Sequence, residues 1–238
     1  MAFQTVFKRY ELKYMITPEQ KKLIIEAMKP YMKMDQYGRS TIRNIYYDTD
    51  NYRLVRKSNE KPVYKEKLRI RSYRQVDEKD TVFVELKKKY KSVVYKRRIA
   101  LPECEAVDWI TNGKLPNVHT QIEEEIEYFR EFYGKLQPSV YLTYEREAFY
   151  ALDGSDFRVT FDENILVRTE DMSLCHEVGG EELLKEGVLM EIKVSDGIPL
   201  WMVGILTENA IYKTSFSKYG TAYTKLIMGN KGEIQHVG

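Results

Sequence analysis

Apolar and charged residues alternate at every second position through much of this chain. Lys65-x-Lys67-x-Arg69-x-Arg71 is the clearest run. Arg9-x-Glu11-x-Lys13, Glu85-x-Lys87-x-Lys89, Lys96-x-Arg98, Arg158-x-Thr160-x-Asp162 and Glu191-x-Lys193 repeat it, and Tyr144-x-Arg146 follows it less regularly. A period of two belongs to strands and gives each one charged face and one opposite face. The pattern predicts strands over residues 7–15, 42–49, 63–73, 81–89, 92–101, 139–150, 157–162 and 188–194. Polar connections at 77–80 and 90–92 read as hairpin turns.

Between these runs the period lengthens to that of helices. Thr17-Pro18-Glu19-Gln20 combines an N-cap, a proline at the first helical position and a capping-box glutamine. Leu23, Ile24, Ala27, Met28 and Tyr31 supply the apolar stripe that follows. A short helix or loop is expected over 51–56, and a longer helical stretch over 103–134. Within the latter, Thr120 and Glu123 form a second capping box, and Ile122, Ile126, Phe129 and Phe132 or Tyr133 line one face. The tail, 199–230, reads as helical with an interruption at 213–220. No repeat, low-complexity tract or linker breaks the chain, so residues 1–238 parse as a single domain.

The phase of the strands sets their orientation. Opposite the charged positions stand Tyr10, Leu12 and Tyr14; Val82, Val84 and Leu86; Phe157, Val159 and Phe161; and Met190, Ile192 and Val194. Helices can bury these apolar faces from outside. The expected fold is therefore α+β: an antiparallel sheet closed into an eight-stranded barrel, braced by external helices, with charged faces lining a wet interior. With Asp48 added from a further strand, the charged phase carries thirteen basic and five acidic residues. Any one such strand is ordinary in a half-exposed sheet whose charged side meets water. A solvated face, however, mixes Lys with Glu, and seven stretches agreeing in sign would repel each other without an anion among them. The pattern points to a polyanion.

Formal net charge is only +2 over 238 residues, because the helical segments are acidic and the basic excess is concentrated in the strands. Cys104 and Cys175 have no metal-type spacing, which makes a reducing cytoplasm the default. The chain enters its first strand almost at once, against a signal peptide, and no apolar run approaches the ~20 residues of a membrane span. A soluble, cytoplasmic protein without a transmembrane segment is expected. Neither a P-loop nor a Rossmann glycine pattern is present, and His119, His176 and His236 stand apart from one another.

The residues Arg9-Tyr10-Glu11-Leu12-Lys13-Tyr14, Tyr46-Tyr47-Asp48-Thr49, Leu68-Arg69-Ile70-Arg71 and Val84-Glu85-Leu86-Lys87 carry a resemblance, as do Tyr144-x-Arg146-x-Ala148-Phe149 and Arg158-Val159-Thr160-Phe161-Asp162. Leu189-Met190-Glu191-Ile192-Lys193 and Ser215-Phe216-Ser217-Lys218-Tyr219 complete it, in the same order, from about residue 7 to 228. Together they resemble the VTC domain, the polyphosphate polymerase module of the vacuolar transporter chaperone complex. That domain also occurs as stand-alone bacterial proteins and belongs with the CYTH-like triphosphate tunnel metalloenzymes. The resemblance implies an eight-stranded tunnel holding a triphosphate, Mg²⁺ or Mn²⁺ held by acidic residues, and transfer of the ATP γ-phosphoryl to polyphosphate with release of ADP. Hydrolytic CYTH relatives resemble E-x-E-x-K in the first motif, where this chain has Arg9-x-Glu11-x-Lys13. One fewer carboxylate favours the polymerase branch.

Phosphoryl transfer asks the protein for positioning and charge neutralisation. Arg69 and Arg71 can present bidentate forks as triphosphate clamps. Lys87, Arg146 and, by the resemblance, Lys218 join them as catalytic candidates. Lys13, Lys67, Lys89, Lys96, Arg98, Tyr144, Arg158, Lys193 and Ser217 are the phosphate-binding candidates. Glu191 is the first choice for metal, with Glu11, Glu85 and Asp162 behind it, at least one of which would only orient a basic side chain. The expected partners are ATP and inorganic polyphosphate, with a membrane protein as a further candidate and no nucleic acid. A triphosphate hydrolase or a non-catalytic polyphosphate or inositol-polyphosphate binding module stand as alternatives.

Overall fold

In the computed structural model, which describes residues 10–91 and 93–229, the alternating stretches form one antiparallel sheet. Its long strands are β1 (Tyr10–Ile16), β3 (Ser40–Asp48), β4 (Tyr64–Ser72), β5 (Thr81–Tyr90), β6 (Val93–Pro102), β7 (Gln137–Ala151), β8 (Arg158–Arg168) and β10 (Val188–Val194). Three short strands, β2 (Met32–Met34), β9 (Glu181–Glu182) and β11 (Lys213–Thr214), attach to β7, β8 and β1. These are too short to show any alternation in the sequence. Arg9 and His236 lie outside the described residues, as does the Ser92 of the second hairpin turn.

The backbone ladder runs β11-β1-β10-β8-β7-β3-β4-β5-β6 and stays open among the described residues, where the sequence suggested a closed eight-stranded barrel. The cause is at the edge of β1. There β11 pairs with Lys13 and Tyr14, taking hydrogen-bonding positions that β6 would need. Strand twist still curls the sheet until β1 and β6 approach each other.

Helices cover the outer face, as the apolar phases require. Val82, Val84 and Leu86 of β5, with Leu68 and Ile70 of β4, pack under α3 (Glu103–Asn112) and α4 (Gln121–Tyr133) around fully buried Trp109. Val159, Phe161, Met190 and Ile192 pack under α1 (Pro18–Met28) and α5 (Leu200–Glu208). The Thr17 capping box forms in full, with Thr17 Oγ1 accepting from Gln20 N at 3.1 Å and Gln20 Oε1 accepting from Thr17 N at 3.0 Å. Ile24 and Met28 of the expected stripe are buried, whereas Leu23 is exposed and Tyr31 stacks on Trp201 beyond the helix. The 103–134 stretch splits at Gly113, whose φ of 78° ends α3. Thr120 then caps α4 through Glu123 N. Ile126 and Phe129 are buried there, but Phe132 points outward.

The interior phase is not charged throughout. Val140, Leu142 and Tyr144 precede Arg146 on β7, and Leu189 precedes Glu191 on β10. These apolar positions receive α6 (Lys218–Ala222) and the π-helical turn Tyr223–Met228, which bury Tyr219, Ala222, Leu226 and Ile227 against them. The same helix also leans on α2 (Arg53–Asn59). One part of the curled sheet is thus filled by its own C-terminal helix, and the rest stays wet. No helix among the described residues is long and apolar enough to cross a membrane.

Candidate functional site

The curled sheet encloses a cavity of about 1080 Å³. Fourteen Lys or Arg side chains line it against three acids, Glu11, Asp35 and Glu191. Of the thirteen basic positions picked out by alternation, all twelve that are described lie on this lining. Lys218 and Ser217 reach it from the segment entering α6, and Tyr144 from β7. No greasy core fills this part of the fold.

Two carboxylates lie behind the lining and hold its arginines. Glu85 is 1% exposed, and its Oε2 accepts from Arg69 Nε and Nη2 at 2.9 and 2.7 Å. Lys96 Nζ stands 2.5 Å from the other oxygen, and Arg71 Nη1 is 3.7 Å from Oε2. Burial alone would raise the Glu85 carboxyl, but Arg71, Arg69 and Lys96 keep it well below the usual range. Asp162, fully buried, accepts a bidentate pair from Arg146 Nε and Nη2 at 2.6 and 2.7 Å and is bound on the same side by Lys218. Burial raises this carboxyl too, and Arg146 and Lys218 overcome it. Phase had grouped Glu85 and Asp162 with the metal candidates; their geometry is that of supports for Arg69 and Arg146.

Neutral groups complete the supports. Arg69 Nη1 donates to Tyr46 Oη at 2.9 Å, Arg71 Nε to Asn44 Oδ1 at 2.8 Å, and Arg71 Nη2 to Tyr144 Oη at 3.0 Å. The Tyr144 ring also lies beneath Arg146 and Lys218, 5.1 and 4.5 Å from their charged groups. Asn44 went unremarked in the sequence and Tyr46 stood only within the motif Tyr46-Tyr47-Asp48-Thr49, with no role given, although both share the interior phase of β3 with Ile42. Asp48, counted there as a cavity acid, turns away. Its carboxylate accepts from Leu54 N, Val55 N and Tyr219 Oη at 2.8, 3.0 and 2.7 Å, capping α2 and docking α6.

The lysines are held more loosely and crowd one another. Lys67 Nζ donates to Ser217 Oγ at 2.8 Å, the oxygen that also caps α6 through Gly220 N at 3.1 Å. Burial, then Lys13, Lys87, Lys65 and Arg69, drive the Lys67 amine well below its ordinary value. Burial also lowers Lys96 to about 7, with Glu85 only partly offsetting it and Arg71 and Arg69 pressing further. Lys193 falls to about 8, through burial first and Arg146 next. Lys13 Nζ donates to Phe216 O at 2.7 Å and lies 3.4 Å from Glu191 Oε1. Arg158 sits at the rim, and Lys213, on the two-residue β11, joins the lining with no periodic signal to announce it.

Among the described residues no group of three or more acids, histidines or cysteines gathers as a metal cage. What the cavity offers is a pair, Glu11 and Glu191, diagonal neighbours across the β1–β10 ladder. Burial raises the Glu11 carboxyl and Glu191 adds to that, but Lys87 and Lys193 bring it down to about 2. Glu191 is held well below the carboxylate range by Lys218, Lys13, Lys193 and Arg146 against the cost of burial. Two carboxylates held ionised on a cation-lined cavity fit Mg²⁺ or Mn²⁺, which take one or two such ligands together with phosphate oxygens and water.

The model of the VTC domain matches residues 8–227. Comparison with curated proteins finds no match. Among solved structures, a candidate adenylate cyclase from Bacillus halodurans is similar with a TM-score of 0.56 at 15% identity, over 90% of this chain and 96% of that one. A protein from Pyrococcus horikoshii OT3 gives 0.45 at 15% identity over 94% and 98%. The Mimivirus capping enzyme triphosphatase gives 0.41 at 8% over 87% and 88%. The likeness to the Bacillus halodurans protein, at that identity, is one of fold.

Proposed function

We propose that this chain, which belongs to the VTC domain family, moves the γ-phosphoryl group of ATP onto the end of an inorganic polyphosphate chain and releases ADP. The observation that carries the reading is the basic lining that β1, β4 to β8, β10, β11 and α6 all contribute to one cavity, with the two buried carboxylates behind it engaged in aiming arginines. Such a surplus of enclosed positive charge suits a ligand that is anionic along its whole length. In this reading the curled sheet serves as the family's tunnel, with side-chain bridges completing the wall that the backbone leaves open.

Arg69 and Arg71 clamp the triphosphate, each already oriented by Glu85, Tyr46, Asn44 and Tyr144, so little reorganisation accompanies the reaction. Arg146 and Lys218 neutralise the non-bridging oxygens of the transferring group from the facing wall. Lys87, Lys96 and Lys193 extend that cradle, with Lys13, Lys67, Lys89, Arg98 and Arg158 as a track for the polymer. A terminal phosphate oxygen of the polymer bonds to the γ-phosphorus as the bond to the β–γ bridging oxygen breaks, and that oxygen leaves on ADP. Glu191 and Glu11 would hold Mg²⁺ or Mn²⁺, which when bound supplies further charge neutralisation to the phosphates.

Transfer fits the cavity better than hydrolysis. A polymer phosphate attacks as an anion and needs no base, whereas water needs one. The two carboxylates of the β1–β10 pair are poor proton acceptors, Glu11 at about 2 and Glu191 well below the usual range, and a bound polyanion holds the lowered amines of Lys96 and Lys193 in their charged forms. The test is incubation with ATP, Mn²⁺ or Mg²⁺ and a short polyphosphate primer, read on a gel. Long polyphosphate from the parent chain, and none from Arg69→Ala or Glu191→Ala, is the expected result. Tight polyphosphate binding with no product under any primer and metal would leave a binding module instead.

A further inference from the structure

The cationic track changes character from one end to the other. Where β4 begins and β5 ends, the inward cations are lysines: Lys65 faces Lys89 in register. At the opposite end Arg71 pairs with Phe83, and Tyr73 follows Arg71 just past the end of β4 on the same phase. There the Arg98 guanidinium carbon lies over the Phe83 ring, 4.0 Å from its centroid, and its Nη1 donates to Tyr73 Oη at 3.2 Å. The Tyr73 ring meets Phe83 edge-on at 5.7 Å. All three residues line the cavity, and Tyr73 is 43% exposed.

An inorganic phosphate chain has no flat apolar face and gains nothing from an aromatic ring. A nucleobase does, since every base can stack on an aromatic side chain or an arginine plane. We propose that Tyr73, with the Arg98–Phe83 stack beside it, is the seat of the nucleotide's base, an assignment that rests on ATP being the phosphoryl donor. Tyr73 stands four residues from Arg69 on the same phase, about 13 Å at ~3.3 Å per residue, a span that an extended nucleoside triphosphate covers. The base then sits at the arginine end, the triphosphate runs inward to Arg71 and Arg69, and the polymer approaches from the lysine end. Besides Tyr10, which is 43% exposed and adjoins Glu11, the exposed aromatic of the lining that could compete is Tyr37, 72% exposed. Its backbone N–H is bound at 3.0 Å by Asp35 Oδ1, an acid that would repel the adjoining phosphates.

Calorimetric titration with a non-hydrolysable ATP analogue and with inorganic tripolyphosphate tests the assignment. Tyr73→Ala should weaken the analogue on the order of tenfold and leave tripolyphosphate unchanged. Tyr73→Phe, which keeps the ring, should restore most of the loss, and Tyr10→Ala and Tyr37→Ala should each do little. An equal loss for both ligands, no loss for either, or a loss confined to Tyr10→Ala or Tyr37→Ala overturns the assignment, as does a parent chain that binds neither ligand. The polyphosphate gel is run on the same preparations. A base-selective loss in a chain that makes no polymer upholds the seat and sinks polymerisation, whereas polymer made with no base selectivity does the reverse.

Discussion

Lys87 on β5 reaches across the open side of the sheet to Glu11 on β1, donating to both carboxylate oxygens at 3.0 and 2.7 Å. No backbone ladder joins those strands among the described residues, so this ion pair is part of the wall. In the proposed reaction it also sets one of the two candidate metal carboxylates against a lysine of the phosphate cradle. In that reading, arriving phosphate and metal would exchange partners with the pair.

Replacing that carboxylate separates the two roles. Glu11→Gln should bind metal-free tripolyphosphate tighter, by about three- to tenfold for a charge that is partly exposed, and should lose metal-supported turnover. Titration with and without Mg²⁺ reads both effects. Unchanged metal-free affinity would contradict the placement of Glu11 against the phosphate path.

Asp162 lies fully buried between Arg146 and Lys218, so Asp162→Asn leaves two cations with only the more distant Glu191, 3.7 Å from each, as counter-charge. The expected cost is about 3–5 kcal/mol in urea unfolding. Added tripolyphosphate should recover more of the melting temperature in this variant than in the parent, because phosphate oxygens take over part of the missing anion's work. A variant as stable as the parent would show that the pair contributes nothing.

The depressed lysines fix a sign for the pH dependence. Lys96 at about 7 and Lys193 at about 8 give up protons in the folded chain well before they do at the ordinary 10.5 of the unfolded chain. Between those values the unfolded state holds more protons, so the stability of the ligand-free protein gains from these groups as pH rises from about 7 to 9. A bound polyanion favours the charged amines, so binding takes up protons and tripolyphosphate affinity falls over the same range. Melting curves and titrations across it read both trends. Affinity that is flat or rising from about pH 7 to 9 would be inconsistent with lysines acting as the phosphate ligands.

Alternation made the cavity walls legible because one face of each strand had to be charged and the other greasy. It could not tell a lining carboxylate from a supporting one. Glu85 and Asp162 share phase with the cations, but Arg69, Arg71 and Arg146 are longer and reach past them toward the cavity. Asp48 kept the phase and lost the cavity because the backbone N–H groups of α2 captured it. Ring closure was not legible either, since it depends on which chain occupies the edge of β1, and a two-residue strand carrying Lys213 leaves no periodic trace. Ser217 stood in the sequence only among the phosphate-binding candidates. The structure has it capping α6 and holding Lys67 with the same oxygen.

The most direct measurement follows the γ-phosphate itself. With ATP labelled at that position, a short polyphosphate primer and Mg²⁺ or Mn²⁺, the label should enter the polymer, with one ADP formed for each phosphate added and little free phosphate. Arg69→Ala should abolish both products. Label recovered only as free phosphate, or ATP left intact with every primer and both metals, would contradict transfer to polyphosphate.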